Sequence, residues 1–298
     1  MSNPFIQDIK NQYKNGSVLI KLIFVNVAVF LGLHLFGLIL WFFRLENGSQ
    51  LVVKWLSLPA DVSQLLFKPW TIISYMFLHE GFLHILFNMM VLYFGGTIFL
   101  NYLSGKKLVV TYLLGGFAGG LIYILAFNLL PIFDQVYSVS IALGASASVM
   151  AILVAAATYV PNYIVRLMFL GNVKFKHIAI GYVLLDLVSI PQSNAGGHIA
   201  HLGGALFGFF YIQQLKKGKD FTLGFSRFLD YLKVMFKPRK KMKVVYKKQG
   251  KTKTDEAYNT QKVNNQKKVD AILDKISKSG YDSLSAEEKA ILFDASKK

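Results

Sequence analysis

Ser146 and His201 are polar residues in stretches of the chain that are otherwise apolar and long enough to cross a membrane. Ser146 lies in Gly144-Ala145-Ser146-Ala147, and His201 lies in Ala200-His201-Leu202-Gly203-Gly204. Polar groups in hydrocarbon are energetically expensive, so their presence there indicates function. A hydroxyl activated by an imidazole is a common arrangement in nucleophilic catalysis. At similar membrane depth, the two residues therefore predict proteolytic chemistry within the bilayer.

The elements that must position these residues are transmembrane helices. The chain has 298 residues, is 54% hydrophobic and has a mean hydropathy of +0.43, and its apolar residues cluster before about position 216. A spanning helix needs about 20 mostly apolar residues. We therefore predict an all-α polytopic membrane bundle of six spans, of which the fifth is the shortest: 18–43, 82–103, 108–130, 141–160, 174–190 and 198–215.

Charge and cysteine content exclude several classes of function. The absence of cysteine excludes disulfides, iron–sulfur clusters and thiol catalysis. The net charge of +17 could suggest a nucleic-acid partner. However, most of the excess positive charge follows Leu215, which favours a membrane protein with a basic cytoplasmic tail and no nucleic-acid partner.

The connections between the predicted spans indicate an orientation. Lys and Arg occur before the first span, between the second and third, between the fourth and fifth, and throughout the tail, whereas connections 131–140 and 191–197 carry neither. Because positive charge favours the cytoplasmic side, both termini should be cytoplasmic. The first 16 residues are polar and no cleavage site follows the first apolar run, so we expect no signal peptide. We expect a multi-pass protein of the cell membrane, in the bacterial cytoplasmic membrane.

The chain divides into four predicted segments, which are a cytoplasmic N-terminus (1–17), a membrane domain (18–215), a basic and largely disordered linker (216–267) and a small helical hairpin (268–298). Phe225 to Phe236 in the linker could form an amphipathic helix on the inner leaflet. In the hairpin, Gly280 is a helix stop signal, and Ser285-Ala286-Glu287-Glu288 has the pattern of a capping box. Because the hairpin is too small to fold firmly alone, we expect it to dock on a protein partner.

Four polar residues from three predicted spans share one depth. The second, fourth and sixth spans run from outside to inside, so His84, Asn88, Ser146 and His201 each lie roughly 3–10 Å below the outer end of their helices. Small residues beside Ser146, together with glycines after His201, allow facing helices to approach closely. This layer predicts an active site under the external face.

In these polar residues and their neighbours, the chain resembles the rhomboid family of intramembrane serine proteases, and the resemblance covers about residues 18–215. His84-Ile85-Leu86-Phe87-Asn88 matches the family's motif of a histidine four residues before an asparagine. The segment around Ser146 matches its Gly-x-Ser-x motif. Ala200 to Gly208 matches its Ala-His-x-x-Gly-x-x-x-Gly motif.

The resemblance implies a role for each residue. Ser146 would be the nucleophile and His201 the general base of a dyad without a carboxylate or cofactor. His84, Asn88 and the Ser146 backbone N–H would form the oxyanion hole, and Gly144 would belong to the same oxyanion and substrate-binding region. The substrates implied are transmembrane or juxtamembrane segments of other membrane proteins.

The chain departs from the family's pattern at two positions. Ala147 follows the nucleophile, where glycine is commoner. Met150 stands where some members have a tyrosine that packs against the histidine, and methionine donates no hydrogen bond.

Alternatives remain open at several positions. Ser148 is a second candidate nucleophile, although it lies about 200° around the helix from Ser146. His198 is a second candidate base. His79 and His84 are five residues apart, which does not suit zinc binding from one helix face, so no metal is expected. Asp186 could orient a histidine, but we expect it to be a solvated or interfacial acid.

Two further hypotheses concern larger features. The long 44–81 connection carries apolar runs ending in Trp, which suit either an interfacial segment or a folded external loop. For the whole chain, the alternative to an enzyme is a non-catalytic relative that binds membrane proteins. A transporter would instead place polar residues near mid-membrane.

Overall fold

The computed structural model describes residues 16–168, 171–235 and 255–296. It divides into two compact units, one up to Lys237 and one from Pro238. Six long helices form the frame of the first unit, and they are α1 (Val18–Phe42), α5 (Phe82–Tyr102), α6 (Gly105–Leu129), α7 (Ser146–Tyr159), α8 (Phe175–Ser189) and α9 (Ala195–Lys216). Between α1 and α5 come α2 (Glu46–Leu56), α3 (Val62–Phe67), α4 (Thr71–Ser74) and a short 3-10 turn (Tyr75–Phe77).

The long helices coincide closely with the six predicted spans. By length and composition, α1, α5 and α6 are apolar enough to cross a membrane, and α7 is a shorter apolar helix. The chain is therefore a mostly helical, multi-pass membrane protein. One boundary differs from the prediction: the fourth span was expected from residue 141, but its helix begins at Ser146 because residues 141–142 form a strand and Gly144 has a φ of +134°.

Helix α7 is enclosed by the other helices. Every residue from Ala147 to Ala157 is buried, and α7 packs against α5, α6, α8 and α9. Glycines on the neighbouring helices make this possible: a Cβ on Gly204 would clash with the Ala147 carbonyl oxygen, and one on Gly208 would clash with that of Ala151. Close backbone approach of this kind is typical of packing between membrane helices.

The 44–81 connection is a folded segment. Its strand β1 (Leu58–Pro59) pairs antiparallel with β2 (Ile141–Ala142), which directly precedes α7. Trp55 and Trp70 stack with ring centroids 5.7 Å apart, and the Trp70 indole donates to the Trp55 carbonyl. Asn128, near the end of α6, donates to the Ala60 carbonyl at 2.8 Å. The strand pairing holds the long connection against the segment that leads into α7, and the Asn128 bond holds it against α6.

Ionic contacts join the start of α6 to the segment that follows α9. Strands β3 (Ile164–Leu167) and β4 (Gly171–Lys174) form a hairpin between α7 and α8. Helix α10 (Leu223–Met235) follows α9 and covers most of the predicted amphipathic segment. Its position is fixed by ion pairs from the start of α6, in which Lys107 contacts Asp220 and Lys106 contacts Asp230 at 2.5 Å. Burial alone would raise the pKa of Asp220, but hydrogen bonds from Lys107 and Thr222 hold that pKa below its ordinary value.

The second unit is a helical hairpin. It consists of α11 (Asp255–Ser279), a 3-10 turn (Tyr281–Ser283) and α12 (Ala286–Ser296). Gly280 ends α11 with a φ of +76°. The predicted capping box forms, because the Ser285 N–H donates to the Glu288 carboxylate at 2.8 Å and the Glu288 N–H donates to the Ser285 hydroxyl at 3.3 Å. Helix α11 begins thirteen residues earlier than predicted, within the expected linker, whose residues 236–254 lie outside the described residues.

Candidate active site

The turn before α7 brings Ser146 and His84 to the same glycine. A Cβ placed on Gly144 would lie 3.2 Å from the His84 ring and 3.3 Å from the Ser146 hydroxyl oxygen. The backbone there has φ of +134°, which L side chains rarely adopt, so the conformation requires glycine and the space around it is tight. The Gly144 N–H donates to the Tyr75 carbonyl at 2.9 Å, which anchors the turn. The sequence-predicted residues Gly144, Ser146 and His84 are thus neighbours.

Ser146 is the first residue of α7. The first N–H groups of a helix have no partner within the helix, and the helix dipole adds partial positive charge at that end. The Ser146 N–H therefore points out of the helix start together with those of the next residues. Because Ser146 is only partly buried, a hydroxyl and unused backbone donors occur together where negative charge could be stabilised.

His201 lies in the second turn of α9, on the helix that packs most extensively against α7. The packing places Gly204 against the Ala147 carbonyl, and the Ala200 carbonyl lies 2.6 Å from the position that a Cβ on Gly119 would occupy. The same imaginary atom is 2.6 Å from the Ala147 Cβ. Ala147 and Ala200 are the chain neighbours of Ser146 and His201, so the backbones that carry the predicted nucleophile and base converge on one point.

The Ser146 hydroxyl makes no hydrogen bond to another described residue, and His201 bonds elsewhere. Its Nδ1 lies 2.9 Å from the Asp186 carboxylate, and the same oxygen is 2.7 Å from His198 Nδ1. The expectation that Asp186 is solvated is wrong, since it is 7% exposed. The presence of an acid in a short apolar helix could have indicated this contact. A single sequence, however, does not show which faces of α8 and α9 pack together.

His84 and Asn88 occupy successive turns of α5. Asn88 is 8% exposed, and its amide donates one hydrogen bond to the His84 carbonyl at 2.9 Å. A side-chain amide has two N–H groups, so the second remains for a ligand.

His79 lies behind His84, outside the helix. It is 5% exposed, and its ring centroid is 5.2 Å from that of His84. Burial, followed by the neighbouring His84, lowers the pKa of His79 to about 4, so this ring is neutral at physiological pH. A cavity of about 510 Å³ between α1, α2 and the connecting loops is lined by His79, Glu80 and Leu143.

The competing candidates differ in their surroundings. Ser148 is fully buried, and its hydroxyl faces Gly116 on α6, where a Cβ would lie 2.5 Å away. It has no hydrogen-bond partner among the described residues. Within the described part of the chain, the residues near enough to one another to share a metal ion are Asp186, His198 and His201. His79 and His84 do not form such a group there.

The sequence matches two described families. The Rhomboid domain family matches residues 66–217, and a family of unknown function, DUF6576, matches residues 252–298.

Curated relatives carry the same family name. The Rhomboid protease GlpG of Klebsiella pneumoniae is 42% identical over 81 residues, which are 25% of this chain and 29% of that protein. The corresponding protein of Pectobacterium atrosepticum is 32% identical over 107 residues, covering 36% of this chain and 33% of the relative. The mitochondrial presenilin-associated rhomboid-like protein A of Danio rerio is 29% identical over 173 residues, or 57% and 43%. The chain thus spans less than half the length of these relatives.

The family match covers about half of the chain and includes His84, Asn88, Gly144, Ser146 and His201 as well as Asp186. From this match, and from helices that follow the order of the three motifs, we conclude that the chain belongs to the rhomboid family.

Proposed function

We propose that the chain is an intramembrane serine endopeptidase that cleaves transmembrane or juxtamembrane segments of other membrane proteins. The observation that supports this most directly is the position of Gly144, which borders both the Ser146 hydroxyl and the His84 ring. A substrate carbonyl at the start of α7 would meet a nucleophile and hydrogen-bond donors together.

The reaction would proceed in two steps. The Ser146 oxygen attacks the scissile carbonyl carbon, and His201 takes the hydroxyl proton. The tetrahedral intermediate collapses, the C–N bond breaks, and His201 returns the proton to the leaving amine. Water then attacks the acyl-serine ester with His201 again as base, which releases the second product and restores the hydroxyl. No cofactor enters this scheme.

The oxyanion would be held by the Ser146 N–H, the His84 ring and the free N–H of Asn88. Each donor of this kind contributes about 3–4 kcal/mol to transition-state stabilisation. The backbone donor is positioned by the helix start and the Tyr75–Gly144 hydrogen bond. The His84 ring is positioned by its contact with His79.

The membrane arrangement is part of the proposal. We propose that all six long helices span the bilayer, with both termini cytoplasmic. Lys107 at the start of α6 contacts Asp220 after α9, and Lys216 donates to the Thr158 carbonyl at the end of α7. These residues therefore share one face. Their positive charges favour the cytoplasmic side, which gives Ser146 the external side.

A test of the activity uses a transmembrane model substrate and a fluorophosphonate probe with the purified protein. Ser146→Ala should reduce cleavage by about 10³-fold or more and abolish labelling. Ser148→Ala is the matched control, since it removes a hydroxyl from the same helix and should leave both reactions intact. Cleavage by a folded Ser146→Ala protein would refute the proposed nucleophile.

The tail is proposed to bind a protein partner that regulates or localises the enzyme. The hairpin exposes Leu273, Ile291 and Phe293, although Lys275 and Glu288 join its two helices at 2.8 Å. Deleting residues 255–298 should change the abundance or the co-purified proteins while leaving cleavage of the model substrate unchanged. Unchanged abundance together with unchanged co-purified proteins would argue against this role.

A further inference from the structure

One carboxylate oxygen lies between two histidines beside the candidate site. Asp186 Oδ1 is 2.7 Å from His198 Nδ1 and 2.9 Å from His201 Nδ1. Asp186 is 7% exposed and lies near the end of α8, while the two histidines are one turn apart on α9. A charge this deep in an apolar bundle is costly unless it is paired.

The contact determines which ring nitrogen carries hydrogen. A carboxylate only accepts hydrogen bonds, so both Nδ1 atoms must be donors. In the neutral rings this leaves the lone pair on Nε2. His201 is then held in the tautomer whose free nitrogen is the one farther from Asp186, and that nitrogen alone can accept a proton from a nucleophile.

The distances favour hydrogen bonding over metal binding. Ligands around a tetrahedral zinc ion at about 2.0–2.2 Å are separated from each other by about 3.3 Å. Both nitrogen–oxygen separations here are shorter than that, at 2.7 and 2.9 Å. The cluster is thus arranged as two donors on one acceptor.

We propose that Asp186 is a positioning residue for His201: it fixes the orientation and Nδ1–H tautomer of the ring and stabilises the imidazolium that forms when His201 takes the Ser146 proton. This inference rests on the proposed function. It adds to the expected dyad a carboxylate supplied by α8. The His198 bond to the same oxygen restricts the carboxylate to one orientation.

Substitutions that differ in hydrogen-bonding capacity test this role. Asp186→Leu approximates the shape of the side chain but accepts no hydrogen bond. Asp186→Asn keeps a carbonyl oxygen that can accept from Nδ1–H but carries no charge. We expect kcat to fall by about 100-fold for the leucine variant, with KM changed by less than about threefold. The asparagine variant should show an intermediate fall of about tenfold. Asp134→Leu, which replaces an exposed acid in an external connection, is the matched control and should leave kcat unchanged.

A spectroscopic measurement separates positioning from folding. In the full-length protein with ¹⁵N-labelled histidine, in micelles, the ring nitrogen shifts report which nitrogen bears hydrogen. The His201 signals, assigned with His201→Gln, should indicate Nδ1–H in the wild type and in Asp186→Asn, and should lose that signature in Asp186→Leu. His198→Ala should leave the His201 tautomer unchanged.

The outcomes distinguish this inference from the proposed function. If the probe fails to label Ser146 in the wild type, the proposed function fails and the inference fails with it. If Ser146 is labelled but a folded Asp186→Leu protein keeps the Nδ1–H signature or the wild-type rate, only the inference is overturned. If the leucine variant does not fold, an unchanged rate in Asp186→Asn overturns it.

Discussion

Gly119 on α6 is not one of the proposed catalytic residues, yet we expect Gly119→Ala to reduce activity strongly. The added Cβ would lie 2.6 Å from both the Ala200 carbonyl oxygen and the Ala147 Cβ, whereas ordinary contact begins at 3.4 Å. The helices must therefore move by about 0.8 Å to accommodate it, given that packed interiors leave few voids. Both contacts are to chain neighbours of the proposed nucleophile and base.

The magnitude follows from this geometry. Overpacking of a close contact costs about 1–3 kcal/mol of stability. A displacement approaching 1 Å between a nucleophile and its base can cost about 10²-fold in rate. We expect Gly119→Ala to unfold at lower temperature and to react with fluorophosphonate about 10- to 100-fold more slowly, when measured well below its unfolding temperature.

Gly181→Ala is the matched control. It introduces the same methyl group into α8, where nothing lies within 4 Å of the new Cβ. Alanine is the better helix former, so this variant should be as stable as the wild type or more stable by up to about 1 kcal/mol. If Gly119→Ala labels at the wild-type rate, the reasoning that this contact sets the distance between the two reactive groups is refuted.

Three further predictions concern single contacts. Ser148→Ala should keep or raise stability by about 1 kcal/mol, since its buried hydroxyl has no partner among the described residues; a lower unfolding temperature would contradict this. Asp220→Asn should increase amide hydrogen exchange in residues 223–235. Because the pKa of Asp220 is lowered in the folded protein, the protection of these residues in the wild type should be lost as the pH falls below about 4. Protection that does not depend on pH would contradict the role of the Lys107–Asp220 pair. Ser285→Ala should destabilise the start of α12 by about 1 kcal/mol, because it removes the hydrogen bond to the Glu288 N–H. Amide hydrogen exchange should become faster in that turn and stay unchanged elsewhere, and a uniform increase would contradict this.

The sequence predicts the helices that carry this site better than it predicts the segments that connect them. The order of the apolar segments and the positions of His84, Ser146 and His201 follow from hydropathy and motif spacing, because each depends on one segment at a time. The start of α7 at Ser146 depends on the pairing of β2 with β1, whose residues are some eighty positions away in the chain. Hydropathy alone cannot show this pairing, since residues 141–145 are themselves mostly apolar.

Asp186 illustrates the same limit more sharply. From its sequence neighbours, an acid near the end of an apolar helix is more often hydrated, and its contact with two histidines depends on how α8 rotates against α9. Helix α11 shows the opposite case. Its first half is polar and charged, which suggested an unstructured linker, but residues 259–268 are helical although they are exposed.

The enclosure of α7 separates the proposed nucleophile from the surrounding lipid. Fourteen residues rise about 21 Å, which is less than the roughly 30 Å hydrocarbon thickness of a bilayer, while α1 and α6 have 25 residues each. When membrane thickness changes, the longer peripheral helices can tilt to match it. Residues 147–157 of the inner helix are all buried, so such a mismatch would act on them through the neighbouring helices. Under the proposed function, cleavage rates in thin and thick vesicles should then differ through substrate access, while the rate at which fluorophosphonate labels Ser146 should stay the same.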